Sequence, residues 1–117
     1  MCIRDRVYIT SDCLEYIDNQ GERVGRKFFE LIEVLSTLQR IHTNYVKKLI
    51  NTEFYELRIR AGSEYRTVLY TLDNEDFNQS SEIICLYAFK KKSTKDYPKA
   101  IKQARKLLSE HLKNKDE

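Results

Sequence analysis

The sequence is poor in the residues that build many common functional sites. It has three glycines and one proline in 117 residues, and neither GxGxxG nor GxxxxGK[ST] occurs, which excludes the usual glycine-rich loops that hold nucleotide phosphates. The three cysteines, Cys2, Cys13 and Cys85, form no CxxC pair, so neither a disulfide framework nor a cysteine zinc site is predicted. The two histidines, His42 and His111, lie far apart in sequence, which argues against a histidine-rich metal site and a hydrolytic triad.

Long hydrophobic runs are also absent. No segment approaches the roughly 20 consecutive apolar residues of a transmembrane helix, and the start lacks the charged and then apolar pattern of a signal peptide. Hydrophobic residues nevertheless make up 41% of the chain, which is enough for a packed core, and the length suits one domain. We therefore expect a single cytoplasmic domain that contacts no membrane and uses no metal or cofactor.

The first six residues, MCIRDR, fit poorly with the sequence that follows them. They resemble a translated sequencing-adapter fragment fused to the reading frame, so we interpret residues 1–6 as a non-native N-terminal segment. The predicted domain then comprises residues 7–117.

The net charge of +3 is distributed unevenly along the chain. Residues 1–88 carry 11 Lys and Arg against 14 Asp and Glu, whereas residues 89–117 carry 10 against 4, a local net charge of +6. This C-terminal excess of positive charge could bind a polyanion. The alternative is that the basic residues form the solvent-exposed face of a helix, which is common.

The spacing of apolar residues predicts an α+β fold, with a small and largely antiparallel sheet packed against helices. Alternating or continuous apolar runs indicate strands, and apolar residues three and four apart indicate helices. The predicted order is β-α-α-β-β-β-α. Its elements are a strand at 7–10, helices at 11–19 and 22–40, strands at 54–60, 65–72 and 83–89, and a last helix that begins near Pro98.

The strand at 54–60 alternates between apolar and polar side chains, so its charged residues Glu56, Arg58 and Arg60 share one face. Arg66 lies across the following turn. Guanidinium groups clustered on a sheet would bind a phosphate bidentately and stabilise the negative charge of a pentacoordinate phosphorane. The alternative is that these arginines pair with nearby glutamates on a solvated sheet surface, where each pair contributes little to stability.

A cluster of lysines and one tyrosine follows the last predicted strand. Close ammonium groups repel one another, which favours loss of a proton, so one lysine could act as a general base or proton donor. The alternative is a solvated basic turn. Tyr97 could stack on a base, donate a proton or cap the last helix hydrophobically. The lysines concerned are Lys90, Lys91, Lys92 and Lys95.

Four segments, taken in order, resemble the RelE/HigB superfamily of toxins. They are Tyr45–Leu49 (YVKKL), Phe54–Arg60 (FYELRIR), Glu64–Tyr70 (EYRTVLY) and Ala88–Pro98 (AFKKKSTKDYP). The last segment is similar to the phage-derived HigB-like branch of that superfamily. The resemblance covers nearly all of the chain after residue 6.

This resemblance implies the toxin of a type II toxin–antitoxin pair. Such a toxin is a metal-independent endoribonuclease that cuts mRNA on the ribosome, inhibits translation and is neutralised by a cognate helix-turn-helix antitoxin. A second hypothesis is a ParE-like toxin that binds and inhibits DNA gyrase without nuclease activity, since the two branches share a fold. A third is a degenerate toxin that retains only antitoxin binding.

The resemblance also implies roles for particular residues. Arg58 and Arg66 match arginines of the family motifs. In several relatives a C-terminal histidine or tyrosine contributes to the chemistry, and no histidine occupies that region here. The implied catalytic residues are Arg58, Arg66, Lys91, Lys92 and Tyr97. The implied RNA-binding residues are Lys47, Lys48, Arg60, Lys90 and Lys95, of which the first two could contact the antitoxin instead.

Overall fold

Residues 3–115, the part of the chain that a computed structural model describes, fold into three α-helices and one five-stranded sheet. The predicted α+β class is confirmed. Two short 3-10 helices, at Phe77–Gln79 and Thr94–Asp96, precede β5 and α3. The elements are β1 (Arg6–Ile9), α1 (Ser11–Asp18), α2 (Glu22–Thr37), β2 (Val46–Lys48), β3 (Tyr55–Ala61), β4 (Ser63–Thr71), β5 (Glu82–Lys90) and α3 (Tyr97–Lys115).

The strands lie in the order β1-β5-β4-β3-β2, with β1 parallel to β5 and all other neighbours antiparallel. The predicted element order lacked β2 and was wrong in this respect. This edge strand has only three residues, Val46–Lys48, and only Val46 is buried. Such a strand is too short to show an alternating pattern, and its pairing with β3 defines it.

The sheet separates two apolar clusters. On one face, side chains such as Leu57 and Ile59 pack against α1 and α2, to which Phe28 and Leu35 contribute. On the other face, Val68 and its neighbours pack against α3. No helix between residues 3 and 115 is long and apolar enough to cross a lipid bilayer.

Helix α2 ends three residues before the predicted boundary at Arg40. Leu38 is its C-cap, adopts an extended conformation (φ −105°, ψ 131°) and is 53% exposed. The reason is a tertiary contact, because the guanidinium of Arg4 donates hydrogen bonds to the carbonyl oxygens of Leu35 and Leu38 at 2.9 and 2.6 Å. These carbonyls at the helix end therefore have a side-chain partner instead of a further helical turn.

Arg4 lies inside the folded domain. Its side chain is 1% exposed, donates further hydrogen bonds to the carbonyls of Gln39 and Phe77 at 2.8 Å each, and stacks over the Phe77 ring at 4.4 Å. The interpretation of residues 1–6 as non-native stays a prediction, and Arg4 provides a direct way to test it.

A β-bulge interrupts the pairing of β4 with β5. The register shifts between Val68, which pairs with Tyr87, and Leu69, which pairs with Cys85, so Leu86 is the extra residue. A single inserted residue reverses the face on which the following side chains lie.

The bulge places Tyr87 and Phe89 on the α3 face of the sheet, and Ala88 on the α1 and α2 face. Thr10 holds the bulge in place, since its hydroxyl donates to the carbonyl of Leu86 at 2.7 Å. Thr10 is also the N-cap of α1, since its hydroxyl oxygen accepts a hydrogen bond from the backbone N–H of Cys13 at 3.1 Å.

Candidate active site

An open groove of about 340 Å³ lies between the start of α3 and the edge formed by β2 and β3. Its lining combines a buried carboxylate and a guanidinium with apolar side chains and two exposed lysines. The lining residues are Lys47, Lys48, Leu49, Ile50, Glu56, Arg58, Thr94, Tyr97 and Ile101.

A buried carboxylate stands at the centre of this groove. Glu56 is 3% exposed, and its Oε1 accepts a hydrogen bond from Nε of Arg58 at 3.0 Å. Its Oε2 accepts a hydrogen bond from the Tyr97 hydroxyl at 2.5 Å and lies 3.7 Å from Nε of Arg66. One phenol and two guanidinium groups therefore share one carboxylate, and we call these four residues the Glu56 cluster.

The two arginines of the Glu56 cluster differ in accessibility. They are direct cross-strand partners on β3 and β4, where like charges repel unless carboxylates offset them. Arg66 is 4% exposed, and its Nη1 donates to Glu64 at 3.0 Å. The side chain of Arg58 is 22% exposed and lines the groove, so Arg58 can reach a bound anion.

The surroundings of the Glu56 cluster shift several pKa values. Burial, reinforced by the hydrogen bond to Glu56, raises the pKa of Tyr97, so this phenol keeps its proton at neutral pH. Burial is the largest single effect and opposes the charge of Arg66, but the interactions with Glu64, Tyr97 and Glu56 together raise the pKa of Arg66. The hydrogen bond from Arg66 lowers the pKa of Glu64.

The turn between β5 and α3 is ordered by a capping box. The Asp96 carboxylate accepts hydrogen bonds from the backbone N–H groups of Lys92 and Ser93 at 2.8 and 3.0 Å, which lowers the pKa of Asp96. This turn places the ammonium group of Lys91 5.5 Å from the centre of the Tyr97 ring, a cation–π contact.

The structure brings only part of the predicted set together. Arg58, Arg66, Tyr97 and Lys91 meet at the Glu56 cluster, and Lys47 and Lys48 line the same groove. Lys90 and Lys95 line a neighbouring groove of about 190 Å³ on β5 and α3.

Two predicted residues lie elsewhere. Arg60 forms an ion pair with Glu64 at 3.4 Å and lines a groove next to Arg23 and Arg26 of α2. Lys92 is exposed on the turn. The pairing of arginines with glutamates, the alternative reading of the sequence, is confirmed for Glu56 and Glu64, but the pair at Glu56 is buried rather than solvated.

Sequence reasoning treated Glu56 only as a counter-ion and missed its central position. The signal was present, because alternation along the strand placed Glu56 on the same face as Arg58. Neither His42 nor His111 is among the residues that line the groove. His42 is exposed, and His111 packs against the ring of Tyr8 at 5.4 Å between ring centres.

The fold and the groove together define the class: a small α+β domain with a cationic surface groove around a buried carboxylate–phenol pair. Guanidinium and ammonium groups in such a groove can bind a phosphodiester, and the phenol and carboxylate can exchange a proton.

Comparison with known families agrees with this class. The model of the phage-derived Gp49-like protein family (DUF891) matches residues 15–109, which include every residue of the groove. The chain belongs to this family, a family of RelE/HigB-type toxins from toxin–antitoxin systems, and membership implies an antitoxin partner. No curated protein and no solved structure matches the chain.

Proposed function

We propose that this chain is a ribosome-dependent mRNA endoribonuclease, the toxin of a type II pair whose antitoxin is a helix-turn-helix protein. The observation that carries the proposal is the buried Glu56 carboxylate, which is bonded to Tyr97 and Arg58 inside a groove rimmed by lysines. Family membership supports the toxin role, and the donors in the groove supply the required charge without a metal ion.

The reaction is an attack by the ribose 2′-hydroxyl on the adjacent phosphorus, which forms a 2′,3′-cyclic phosphate and breaks the bond to the 5′-oxygen. The Tyr97 hydroxyl takes the proton of the 2′-hydroxyl while it passes its own proton to Glu56. This relay uses the 2.5 Å hydrogen bond between the two side chains. The Lys91 ammonium, which lies 5.5 Å from the centre of the Tyr97 ring, donates a proton to the leaving 5′-oxygen.

The two arginines have different roles in this mechanism. Arg58 faces the groove and binds the non-bridging phosphate oxygens, whose charge grows in the transition state. Arg66 is buried and holds the Glu56 carboxylate in place, so it is a positioning residue.

The lysines around the groove bind the phosphates that flank the scissile bond. Exposed lysines at a groove rim attract a polyanion and give a binding affinity that falls with salt concentration. We assign this role to Lys47, Lys48, Lys90, Lys92 and Lys95, while Arg60 is further from the groove and contributes to long-range attraction only.

The test is cleavage of a defined mRNA on programmed ribosomes, read by primer extension. We expect the wild type to cut the mRNA, with EDTA leaving cleavage intact in samples whose ribosomes remain assembled. DNA supercoiling assays with purified gyrase run in parallel. Absence of cleavage together with inhibition of gyrase would overturn the proposal in favour of the ParE-like hypothesis.

A further inference from the structure

A second groove, of about 190 Å³, lies beside the candidate active site and shares the first turn of α3 with it. The two grooves lie on either side of this turn, because Thr94 and Tyr97 line the first groove whereas Lys95 and Lys99 line the second. The residues that line the second groove are Tyr87, Phe89, Lys90, Lys95, Asp96, Lys99 and Ala100.

Aromatic rings connect the two grooves. Tyr87 is half-buried and stacks on Phe89, with 6.2 Å between ring centres and 26° between ring planes. Phe89 in turn contacts Tyr97 edge-on at 5.7 Å. Only the Phe89 ring therefore separates a ligand stacked on Tyr87 from Tyr97 of the Glu56 cluster.

The second groove is positively charged. Three exposed lysines, Lys90, Lys95 and Lys99, line it together with a single acid, Asp96. The Asp96 carboxylate is already hydrogen-bonded to two backbone N–H groups of the preceding turn. The groove thus combines an accessible aromatic ring with an excess of ammonium groups.

The β-bulge at Leu86 is what brings the aromatic rings here. With uninterrupted alternation after Ile84 and Leu86, Ala88 would lie on the α3 face in place of Tyr87 and Phe89. Bulges next to functional sites commonly redirect side chains in this way.

We propose that the second groove is a nucleotide subsite. Tyr87 stacks on the unpaired base of a nucleotide that flanks the scissile phosphate, and the three lysines bind the adjoining phosphates. An aromatic ring beside cations is the usual means of holding a single strand with little sequence preference, because every base has a flat face. This inference rests on the proposed function, since it assumes an RNA substrate.

The sequence has no tryptophan, which provides a direct probe of stacking. In Tyr87→Trp the new indole is the sole tryptophan, and its fluorescence reports base stacking at this position. The full chain is titrated with a single-stranded 2′-O-methyl RNA oligonucleotide, which cannot be cleaved because its 2′-oxygen has no proton to lose. We expect quenching that saturates. The matched control is Phe29→Trp, at an exposed position on α2 across the sheet from both grooves, where no quenching is expected.

Affinity measurements with the same oligonucleotide complete the test. We expect Tyr87→Ala to weaken binding on the order of tenfold and Tyr87→Phe to preserve it. Lys99→Ala should reduce the slope of log affinity against log salt by about 1, whereas Lys106→Ala, at an exposed position further along α3, should not.

The outcomes separate this inference from the proposed function. No quenching in Tyr87→Trp, or wild-type affinity in a folded Tyr87→Ala, would overturn the subsite, even if the wild type cleaves mRNA. Tyr87-dependent binding by a chain that cuts no mRNA would support the subsite and overturn the nuclease. Equal quenching by polyglutamate would also overturn the nucleotide subsite, because the second groove would then bind acidic peptides as well as RNA.

Discussion

At the scale of single residues, the Glu56 cluster combines a buried charge, which is unfavourable, with three contacts that stabilise it. Burying a carboxylate costs free energy, which Glu56 recovers from Arg58, Arg66 and a phenol hydrogen bond. Because all three partners contact the same two oxygens, removal of any one leaves the buried Glu56 carboxylate less completely paired. The cluster is therefore both the most sensitive point for activity and a source of stability.

Replacement of the central carboxylate tests the relay. We expect Glu56→Gln to lower the single-turnover rate of mRNA cleavage on programmed ribosomes about 100-fold or more, because an amide cannot accept the proton from Tyr97. Lys106→Ala serves as the control and should cleave at the wild-type rate. Full activity in Glu56→Gln would remove the carboxylate from the chemistry.

Replacement of the two arginines should affect cleavage activity and stability differently. Arg58→Ala should lower the cleavage rate on the order of 100-fold and destabilise the fold less than Arg66→Ala does, because Arg58 is partly exposed and faces the substrate. Arg66→Ala should lower the rate and also destabilise the fold by roughly 3 kcal/mol, because it removes a buried guanidinium that neutralises Glu56 and Glu64. Identical effects of the two changes in both measurements would contradict the division of roles.

The raised pKa of Tyr97 predicts an alkaline effect on stability. Folding favours the protonated phenol, so this contribution is complete below the ordinary tyrosine pKa near 10 and is lost as the pH rises through the higher folded value. Urea unfolding of the wild type and of Tyr97→Phe from pH 7 to pH 11 measures it. The difference between the two should stay constant up to about pH 10 and shrink above it. A difference that grows with pH would show that the sign is wrong.

At the scale of elements, the start of the described chain is tied to the end of α2. Arg4 connects the last turn of that helix with the 3-10 helix Phe77–Gln79 through hydrogen bonds to four carbonyl oxygens. Burial lowers the pKa of Arg4, which reflects the cost of enclosing its charge. This contact belongs to the segment that sequence reasoning interpreted as non-native.

Substitution of Arg4 tests that interpretation through stability. We expect Arg4→Ala to destabilise the domain by about 2–4 kcal/mol, because several buried carbonyls lose a charged donor. Chemical denaturation followed by circular dichroism measures the change. Arg6→Ala is the matched control, since Arg6 forms an exposed pair with Glu82. An unchanged midpoint in Arg4→Ala would show that the Arg4 contacts add nothing to the stability of the domain, as expected if this segment is non-native.

At the scale of the whole molecule, charge is divided between the two parts of the chain. Residues 89–117 carry a net charge of +6, and the described part of this segment includes the three lysines that line the second groove. Family membership implies an antitoxin, and this distribution favours an acidic antitoxin segment that covers the grooves.

We predict that this chain forms a complex with its antitoxin whose affinity falls as the salt concentration rises. Co-expression with the adjacent small reading frame, followed by gel filtration, should give a joint peak at low salt that dissociates as the salt concentration rises, because exposed charges are screened. Lys95→Glu combined with Lys99→Glu should shift dissociation to lower salt. Independent elution of the two proteins at low salt would count against the prediction.

The sequence by itself determined the α+β class, most of the element positions and the face of β3 that carries Glu56 and Arg58. These features are local, because helical spacing and strand alternation depend on neighbouring residues only. The family resemblance, carried by short motifs, likewise pointed to RelE/HigB-type toxins, the wider group that includes the Gp49-like family matched over residues 15–109.

Tertiary structure alone decided the burial of Glu56, the edge strand β2 and the face on which Tyr87 lies. Burial of Glu56 requires α3 to deliver Tyr97 from 41 residues away. The face of Tyr87 depends on one extra residue in the pairing of β5 with β4, which alternation in an uninterrupted apolar run does not reveal. Contacts between distant segments set these features, and such contacts exist only once the chain has folded.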